Sequence, residues 1–366
     1  MTTSFTEIES TLFKELSTHM RSTSARLTSL LFLLLALATP ILAQEKLKVA
    51  ATLPHLAEVC RAVGGDLVDV TSLAKPGEDP HGIKITPSMT GKVKEARLFI
   101  ENGMTLESWS LRLLESSKNN SILPGQGGHV YATNGIIPLE KPSKALLESG
   151  AHVHAAGNPH VWLDPMNLKI AARNIEIGLA RSLYKSKDQL QKNRIAFEKK
   201  IDVAMFGEQL IKLFGAKRLE SLHRTGKLLP FLNSKSYKGK KLKDYAGGFL
   251  GRAYKLKSRN IISYHRTWSY FENAFGVNIV ATLESKPGIP PSPTHLDKLK
   301  KVVVQENVKI VTAPIYYPKS RIEGFANQVG CPLVILPTQP GEAGAPNDLI
   351  KMYDFIFTSI EKALDK

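Results

Sequence analysis

Three histidines in this 366-residue sequence stand at the ends of segments that would restrict their movement. His81 and His160 each follow a proline, in PGEDPH and NPHVWLDP, and His265 follows the mostly apolar segment IISY. Proline holds its own φ at about −65°, which pre-places the neighbouring ring. Neutral imidazole is a good ligand for zinc, and three imidazoles leave a coordination position for a carboxylate or water. These three histidines are therefore candidate ligands of a divalent metal ion.

The other histidines have simpler interpretations, because a single histidine is more often a core or surface residue than a ligand. We interpret five of them in this way: His19, His55, His129, His223 and His295. His152 and His154 form a His-Val-His segment shortly before His160, and they are either a solvated loop or an auxiliary metal-collecting patch. Asp79 and Asp164 lie close enough in sequence to the candidate ligands to accept a hydrogen bond from a ring N–H.

Short apolar segments alternate with helical patterns along both halves of the chain. Strands are predicted at residues 46–52, 67–73 and 97–102, and again at 260–263, 277–283, 308–313 and 333–336. Strands that alternate with helices indicate βαβ units and mainly parallel sheets. In such sheets, ligands bind beyond the carboxyl ends of the strands. The pattern predicts an α/β protein of two lobes, with the metal site in the cleft between them.

A helical pattern without proline runs from residue 166 to residue 204, and the segment 117–157 before it is rich in loop residues. A long charged helix of this kind is suited to join two lobes rigidly. The predicted domains are an N-terminal extension with a signal peptide (1–43), an N-terminal α/β lobe (44–184), a linking helix (185–214) and a C-terminal α/β lobe (215–366).

The N-terminal region has the features of an export signal. Residues 27–43 are apolar, follow a short basic segment and end in Ile-Leu-Ala before charge returns at Glu45. A membrane-spanning helix usually needs about 20 apolar residues, so an anchor fits this segment less well. We expect cleavage after Ala43 and a periplasmic location. Residues 1–19 precede a second plausible start at Met20.

The net charge of +16 raises the question of nucleic-acid binding. The sequence contains no RNP motif, zinc-finger spacing or helix-turn-helix signature, so no nucleic-acid partner is predicted. The two cysteines, Cys60 and Cys331, are far apart in sequence and lack metal-site spacing. We expect two buried thiols rather than a disulfide, because a bridge needs Cα atoms within about 7 Å.

From Lys46 onward the sequence resembles the metal-binding receptors of ABC importers that take up zinc and manganese. The resemblance lies in an ordered series of motifs: VGGD (63–66), PGEDPHGIKITPS (76–88), ENGMTLESW (101–109), NPHVWLDP (158–165), SYHRTWSYFENAFGV (263–277) and ESKPGIPPSPTHL (284–296). It implies two α/β lobes joined by a long helix, metal ligands at His81, His160 and His265, and a membrane permease as partner.

The sequence departs from this family at the expected fourth ligand, an aspartate in the last strand-to-helix loop. Thr338 stands at about that position, and Glu342, Asp348 or water could complete the site. An additional basic, Gly-containing segment is predicted within residues 205–258. The histidine-rich loop of many zinc-binding members is reduced here to His152 and His154.

The chemistry of three nitrogen ligands favours zinc over manganese, which prefers oxygen ligands. Together with the resemblance, this chemistry leads us to expect a receptor that captures zinc with high affinity and delivers it to the permease. We expect it to be a monomer. A manganese or iron receptor of the same type is the alternative within this class. A zinc-dependent hydrolase is the alternative from another class. The sequence has no His-Glu-x-x-His motif and no general base in register with the ligands, so we predict that the protein is not an enzyme.

Overall fold

A computed structural model describes residues 14, 45–144, 154–258 and 260–365. The predicted signal peptide, His19 and His152 lie outside the described residues. Residues 1–45 form a separate unit, of which Lys14 and Glu45 are described, and residues 46–366 form one compact unit. Within the described ranges, every helix is either too short or too polar to cross a membrane.

The first sheet contains four parallel strands from the N-terminal third of the chain. They are β1 (Leu47–Ala51), β2 (Val68–Ser72), β3 (Leu98–Glu101) and β4 (His129–Tyr131), in the order β2-β1-β3-β4. The intervening helices are α1 (Pro54–Gly64), α2 (Pro87–Glu95) and α3 (Ser110–Ser117). The first three strands confirm the prediction to within one residue at each end. Strand β4 lies in the segment that was predicted to be loop.

The second sheet is also parallel and comes from the last third of the chain. Its strands are β7 (Asn260–Ser263), β8 (Asn278–Thr282), β9 (Ile310–Ala313) and β10 (Leu333–Ile335), in the order β10-β9-β7-β8. The helices beside these strands are α9 (Ser269–Phe275), α10 (Pro293–Gln305), α11 (Lys319–Gln328) and α12 (Leu349–Leu364). The two parallel sheets confirm the predicted α/β class.

The helical region in the middle of the chain differs from the prediction of one continuous helix over 166–204. It forms α4 (Pro165–Ser182) and α5 (Lys187–Phe214), separated at Leu183, where φ is −113° and ψ is 44°. Helix α5 is itself kinked at Gly207, whose backbone torsions are not helical. Three ion pairs join the helices in antiparallel order: Lys169–Asp202, Arg173–Glu198 and Glu176–Arg194. The turn contains neither glycine nor proline, the residues that usually interrupt a helix, so the local sequence does not indicate it. The long helix that was expected between the lobes corresponds to α5. The predicted domain boundaries remain a prediction.

The segment between α5 and the second sheet is small and mostly helical. It contains α6 (Ala216–Arg224), α7 (Leu228–Ser234), a hairpin of β5 (Ser236–Tyr237) and β6 (Lys240–Lys241), and α8 (Gly248–Lys255). The hairpin turns at Lys238 and Gly239, both with positive φ, and is exposed on all sides. The basic residues 238–243 begin at the tip of this hairpin, and within this run Leu242 is buried.

A continuous apolar core covers both sheets. Ile261 and Ile310 belong to a large cluster of buried side chains that also includes residues of the first sheet. Their chain neighbours Ile262 and Val311 belong to a second cluster on the opposite face, because successive strand residues point to opposite sides. Both faces of the second sheet are therefore covered. The two cysteines are buried and free, as predicted, and burial raises the pKa of Cys60 to about 12.

Candidate metal centre

The structure brings the three candidate histidines together. One ring nitrogen from each of His81, His160 and His265 lies within 4.8 Å of the other two. The ring centroids are 5.2 Å apart for His81 and His160, and 5.5 Å apart for each of the other two pairs. His160 and His265 are buried, and His81 is half-buried. Three imidazoles at this separation can surround a single metal ion.

Each histidine is positioned by the end of a structural element. His81 lies in the loop between β2 and α2, and His265 lies two residues after the end of β7. His160 lies in the short segment that leads into α4. Two of the three candidate ligands therefore stand beyond the carboxyl ends of parallel strands, one from each sheet, where α/β proteins generally bind ligands.

His81 and His160 are oriented by the same local device. The residue two positions earlier, Asp79 or Asn158, accepts a hydrogen bond from the backbone N–H of its histidine at 3.0 Å. The same side-chain oxygen lies 2.7 Å from Nδ1 of His81 and 2.9 Å from Nδ1 of His160. The intervening proline holds the turn, so each Asx-Pro-His segment fixes both the backbone and the ring of its own histidine.

His265 is oriented by a residue further along the chain. Its Nδ1 lies 2.7 Å from Oε2 of Glu284, and both side chains are buried. Glu284 also accepts a hydrogen bond from the backbone N–H of Gly288, which anchors the carboxylate.

These partners determine which ring nitrogen is available to a metal. The carboxylates of Asp79 and Glu284 only accept, so Nδ1 of His81 and His265 must carry the proton. Nδ2 of Asn158 faces the carboxylate of Glu140 and the carbonyl of Arg266, which fixes Oδ1 toward His160. All three rings therefore present the Nε2 lone pair. Nε2 of His81 and His160 is buried without a hydrogen-bond partner among the described residues.

The surroundings of His160 keep its ring neutral. Burial, followed by the nearby rings of His81 and His265, lowers the pKa of His160 well below its usual range. Burial opposes ionisation of Asp79, but its hydrogen bonds with His81 outweigh that effect and lower the pKa of the carboxyl. Neutral imidazoles backed by carboxylates are the form that binds metal ions.

One of the two predicted acceptors has a different role. Asp79 does orient a ligand ring, but Asp164 lies 2.7 Å from Nε2 of His223 and caps α4 by accepting from the backbone N–H of Met166. Asn158 and Glu284 were not identified from the sequence. Asn158 could have been found, because it stands two residues before its histidine as Asp79 does. Glu284 is 19 residues from its partner, and no local spacing indicates it.

The position of a fourth ligand is not filled by a described carboxylate. The group of mutually close ligand atoms contains the three histidines and, among the described residues, no acidic side chain. Asp348 is the N-cap of α12 and accepts from the backbone N–H of Lys351. Glu342 is buried, and its Oε2 accepts from both Thr338 N–H and O–H and from Gln339 N–H, while Oε1 has no described partner. Glu342 thus holds the loop in which the family acid was expected.

A cleft of about 420 Å³ opens beside the cluster and is lined by both His160 and His265. His154 also lines it, with its ring 5.2 Å from that of His81 and its Nδ1 3.1 Å from the carbonyl oxygen of Thr105. His154 is therefore next to the three histidines but outside the close group. His55 is buried and stacked on Trp162 at 4.3 Å, and burial lowers its pKa to about 3, in agreement with a structural role.

Residues 49–205 and 233–363 match the sequence model of a family described as the zinc-uptake complex component A, periplasmic. The unmatched residues 206–232 lie inside the segment that was predicted to be additional. A crystal structure of ZnuA has the same fold, with a TM-score of 0.64 and 20% identity over 87% of this chain and all of that one.

Three relatives illustrate the range of metals named in this group. The iron-binding protein YfeA of Yersinia pestis is 31% identical over 43% of this chain and 46% of its own length. The manganese-transporter lipoprotein PsaA of Streptococcus pneumoniae is 28% identical over 43% and 49%. The high-affinity zinc uptake protein ZnuA of Bacillus subtilis is 23% identical over 81% and 80%. The alignment thus spans about half the length of the first two, whereas the family match covers most of this chain. The chain belongs to the family of the periplasmic zinc-uptake complex component A.

Proposed function

We propose that this protein captures one divalent transition-metal ion, zinc in the first place, and delivers it to the membrane permease of an ABC importer. The observation that carries the proposal is the convergence of three histidine ring nitrogens within 4.8 Å, with each Nδ1 held by a side-chain oxygen. The ion would be held by Nε2 of His81, His160 and His265. Family membership supports the transport role, since one relative is named as a high-affinity zinc uptake system protein and another as a manganese ABC transporter substrate-binding lipoprotein.

The preference for zinc rests on the ligand atoms. Three imidazole nitrogens suit zinc, whereas oxygen-rich sites suit manganese. Relatives named for iron and manganese keep those ions as the alternatives. We propose water as the fourth ligand, because Glu342 and Asp348 lie outside the group of mutually close ligand atoms formed by the three histidines.

A binding role is favoured over a zinc hydrolase by the use of the nearby acids. Asp79 and Glu284 each accept from the Nδ1 of a ligand histidine, so neither is available as a general base. We further propose that the protein acts as a monomer in the periplasm, after removal of residues 1–43.

Calorimetric titration of residues 44–366 with Zn²⁺, Mn²⁺ and Fe²⁺ tests this function. We expect one saturable zinc site per chain, its loss in His81→Ala plus His265→Ala, and unchanged binding in His295→Ala, which removes a histidine outside the cluster. Circular dichroism of each variant checks that it is folded. Equal zinc binding in the double variant would contradict the proposed site. Turnover of ester, amide or phosphate substrates by the zinc-loaded protein would support the hydrolase instead.

A further inference from the structure

The carboxylate of Glu140 connects two of the three segments that carry the candidate ligands. Its Oε1 accepts from Nε of Arg266 at 2.5 Å, and its Oε2 accepts from Nδ2 of Asn158 at 2.8 Å. Asn158 in turn orients the ring of His160, and Arg266 is the chain neighbour of His265. The side chain of Glu140 therefore joins the segment of His160 to the segment of His265. Its two partners, Asn158 and Arg266, are more than a hundred positions apart in the sequence.

Further contacts join the same two segments. Nδ2 of Asn158 also donates to the carbonyl of Arg266 at 2.7 Å, and it lies 3.1 Å from Oγ of Ser269. The hydroxyl of Tyr270 donates to the carbonyl of Asn158 and accepts from the backbone N–H of Leu139, both at 3.0 Å. The segment before His160 is therefore fastened to the start of α9. We call the Glu140–Asn158–Arg266 group the carboxylate bridge.

The bridge is placed for positioning rather than for global stability. The side chains of Glu140 and Arg266 are about one-third exposed, at 33% and 37%, and ion pairs at such exposure contribute little to folding. Glu140 also has a φ of 54°, a left-handed conformation that is unfavourable for a residue with a Cβ. The backbone there accepts strain while the carboxylate reaches both ligand-bearing segments.

We propose that Glu140 is a positioning residue that holds the His160 and His265 segments together and so slows the release of the metal ion. The inference rests on the proposed function, since it concerns the dwell time of the captured ion. Release requires the ligand rings to separate, and the bridge opposes that separation. Most changes of affinity within one binding site appear in the dissociation rate, so loss of the bridge should affect release more than capture.

The variant Glu140→Gln tests this role with little change in shape. A glutamine has one acceptor oxygen, so its NH₂ group would face a donor, Asn158 or Arg266. Glu272→Gln is the matched control, because Glu272 pairs with the same arginine at 3.1 Å but lies outside the bridge. Stopped-flow transfer of zinc to a chromophoric chelator measures the dissociation rate. We expect it to rise about tenfold in Glu140→Gln, as for other outer-shell partners, and to change less than about twofold in Glu272→Gln.

A second readout needs no metal. The backbone N–H of His160 donates to Asn158, so its hydrogen exchange in the metal-free protein reports the order of this segment. We expect faster exchange in Glu140→Gln, no change in Glu272→Gln, and the same melting temperature for both metal-free variants. Wild-type exchange and release rates in Glu140→Gln would overturn the inference, as would equal acceleration in both variants. A wild-type protein that binds no zinc would contradict the proposed function, and the exchange measurement would still decide the role of Glu140.

Discussion

Asp79 accepts two hydrogen bonds from His81, one from the backbone N–H at 3.0 Å and one from Nδ1 at 2.7 Å. Asn158 holds His160 in the same way, so a carboxylate and an amide perform one geometric task at two ligands. The difference between them is charge. A carboxylate makes its imidazole a stronger donor to a metal ion, whereas an amide only fixes the ring. Two variants of Asp79 can separate these effects.

We expect Asp79→Ala to weaken zinc binding by about 10–100-fold, the usual effect of losing an outer-shell partner. Asp79→Asn keeps the acceptor oxygen and should weaken binding by less than about tenfold, because the ring stays oriented as it is beside Asn158. Competition with a chelator of known affinity measures both. Asp297→Ala, at an exposed acid away from the cluster, is the control. Equal losses in Asp79→Ala and Asp79→Asn would show that charge, and not orientation, is what matters.

Substitution of Glu342 can distinguish a structural role of its carboxylate from a role as a metal ligand. Removing its carboxylate in Glu342→Ala leaves two buried backbone N–H groups, those of Thr338 and Gln339, without their acceptor. We expect the free energy of unfolding of the metal-free protein to fall by about 1–3 kcal/mol, measured by urea denaturation. With water as the fourth ligand, zinc affinity should stay within about fivefold of the wild type. A loss above about a hundredfold would instead identify Glu342 as a metal ligand.

The buried pair of His223 and Asp164 predicts a pH-dependent stability. Burial alone would lower the pKa of His223, but the charge and hydrogen bond of Asp164 outweigh it, so the pKa is raised. A raised histidine pKa stabilises the fold fully below the unfolded value of about 6.5, and this stabilisation is lost as pH rises through the folded value.

We therefore expect the unfolding free energy that His223→Gln removes to be larger at pH 5.5 than at pH 8.5. Denaturant titrations of wild type and variant at both pH values give this difference. Asp164→Asn keeps an oxygen to cap α4 but removes the charge, so His223→Gln in that background should show little dependence on pH. A difference that grows toward alkaline pH would contradict the assignment of a charged pair.

The backbone conformation and close packing of Gly207 in α5 predict that a larger residue is not tolerated at this position. Its φ of 73° and ψ of 158° are non-helical, and a Cβ there would lie 2.5 Å from Cα of Gly247. We expect Gly207→Ala to cost about 2–4 kcal/mol, from backbone strain together with the steric clash. Gly226 has a similar φ of 69° but open space around it, so Gly226→Ala should cost only about 1–2 kcal/mol. Thermal unfolding measures both, and equal costs would exclude a role for the close contact of Gly207 with Gly247.

Much of this protein is determined by local sequence. Each of the seven strands predicted from short apolar segments is present to within two residues at either end, because alternation with helices and apolar length are local properties. The Asx-Pro-His segments at His81 and His160 also act locally, since proline and a side-chain oxygen two residues earlier suffice to set each ring. The convergence of the three histidines followed from strand ends in a parallel α/β fold together with the family motifs.

The tertiary structure alone decided the remaining relationships. The break at Leu183 occurs without glycine or proline, where α5 turns back to pair its charges with α4. Glu284 reaches His265 from beyond the next strand, and Glu140 meets Arg266 across 126 residues. These contacts depend on how the segments of the chain pack against one another. A sequence pattern encodes the torsions and burial of neighbours, whereas the pairing of distant side chains is set only when the core brings their elements together.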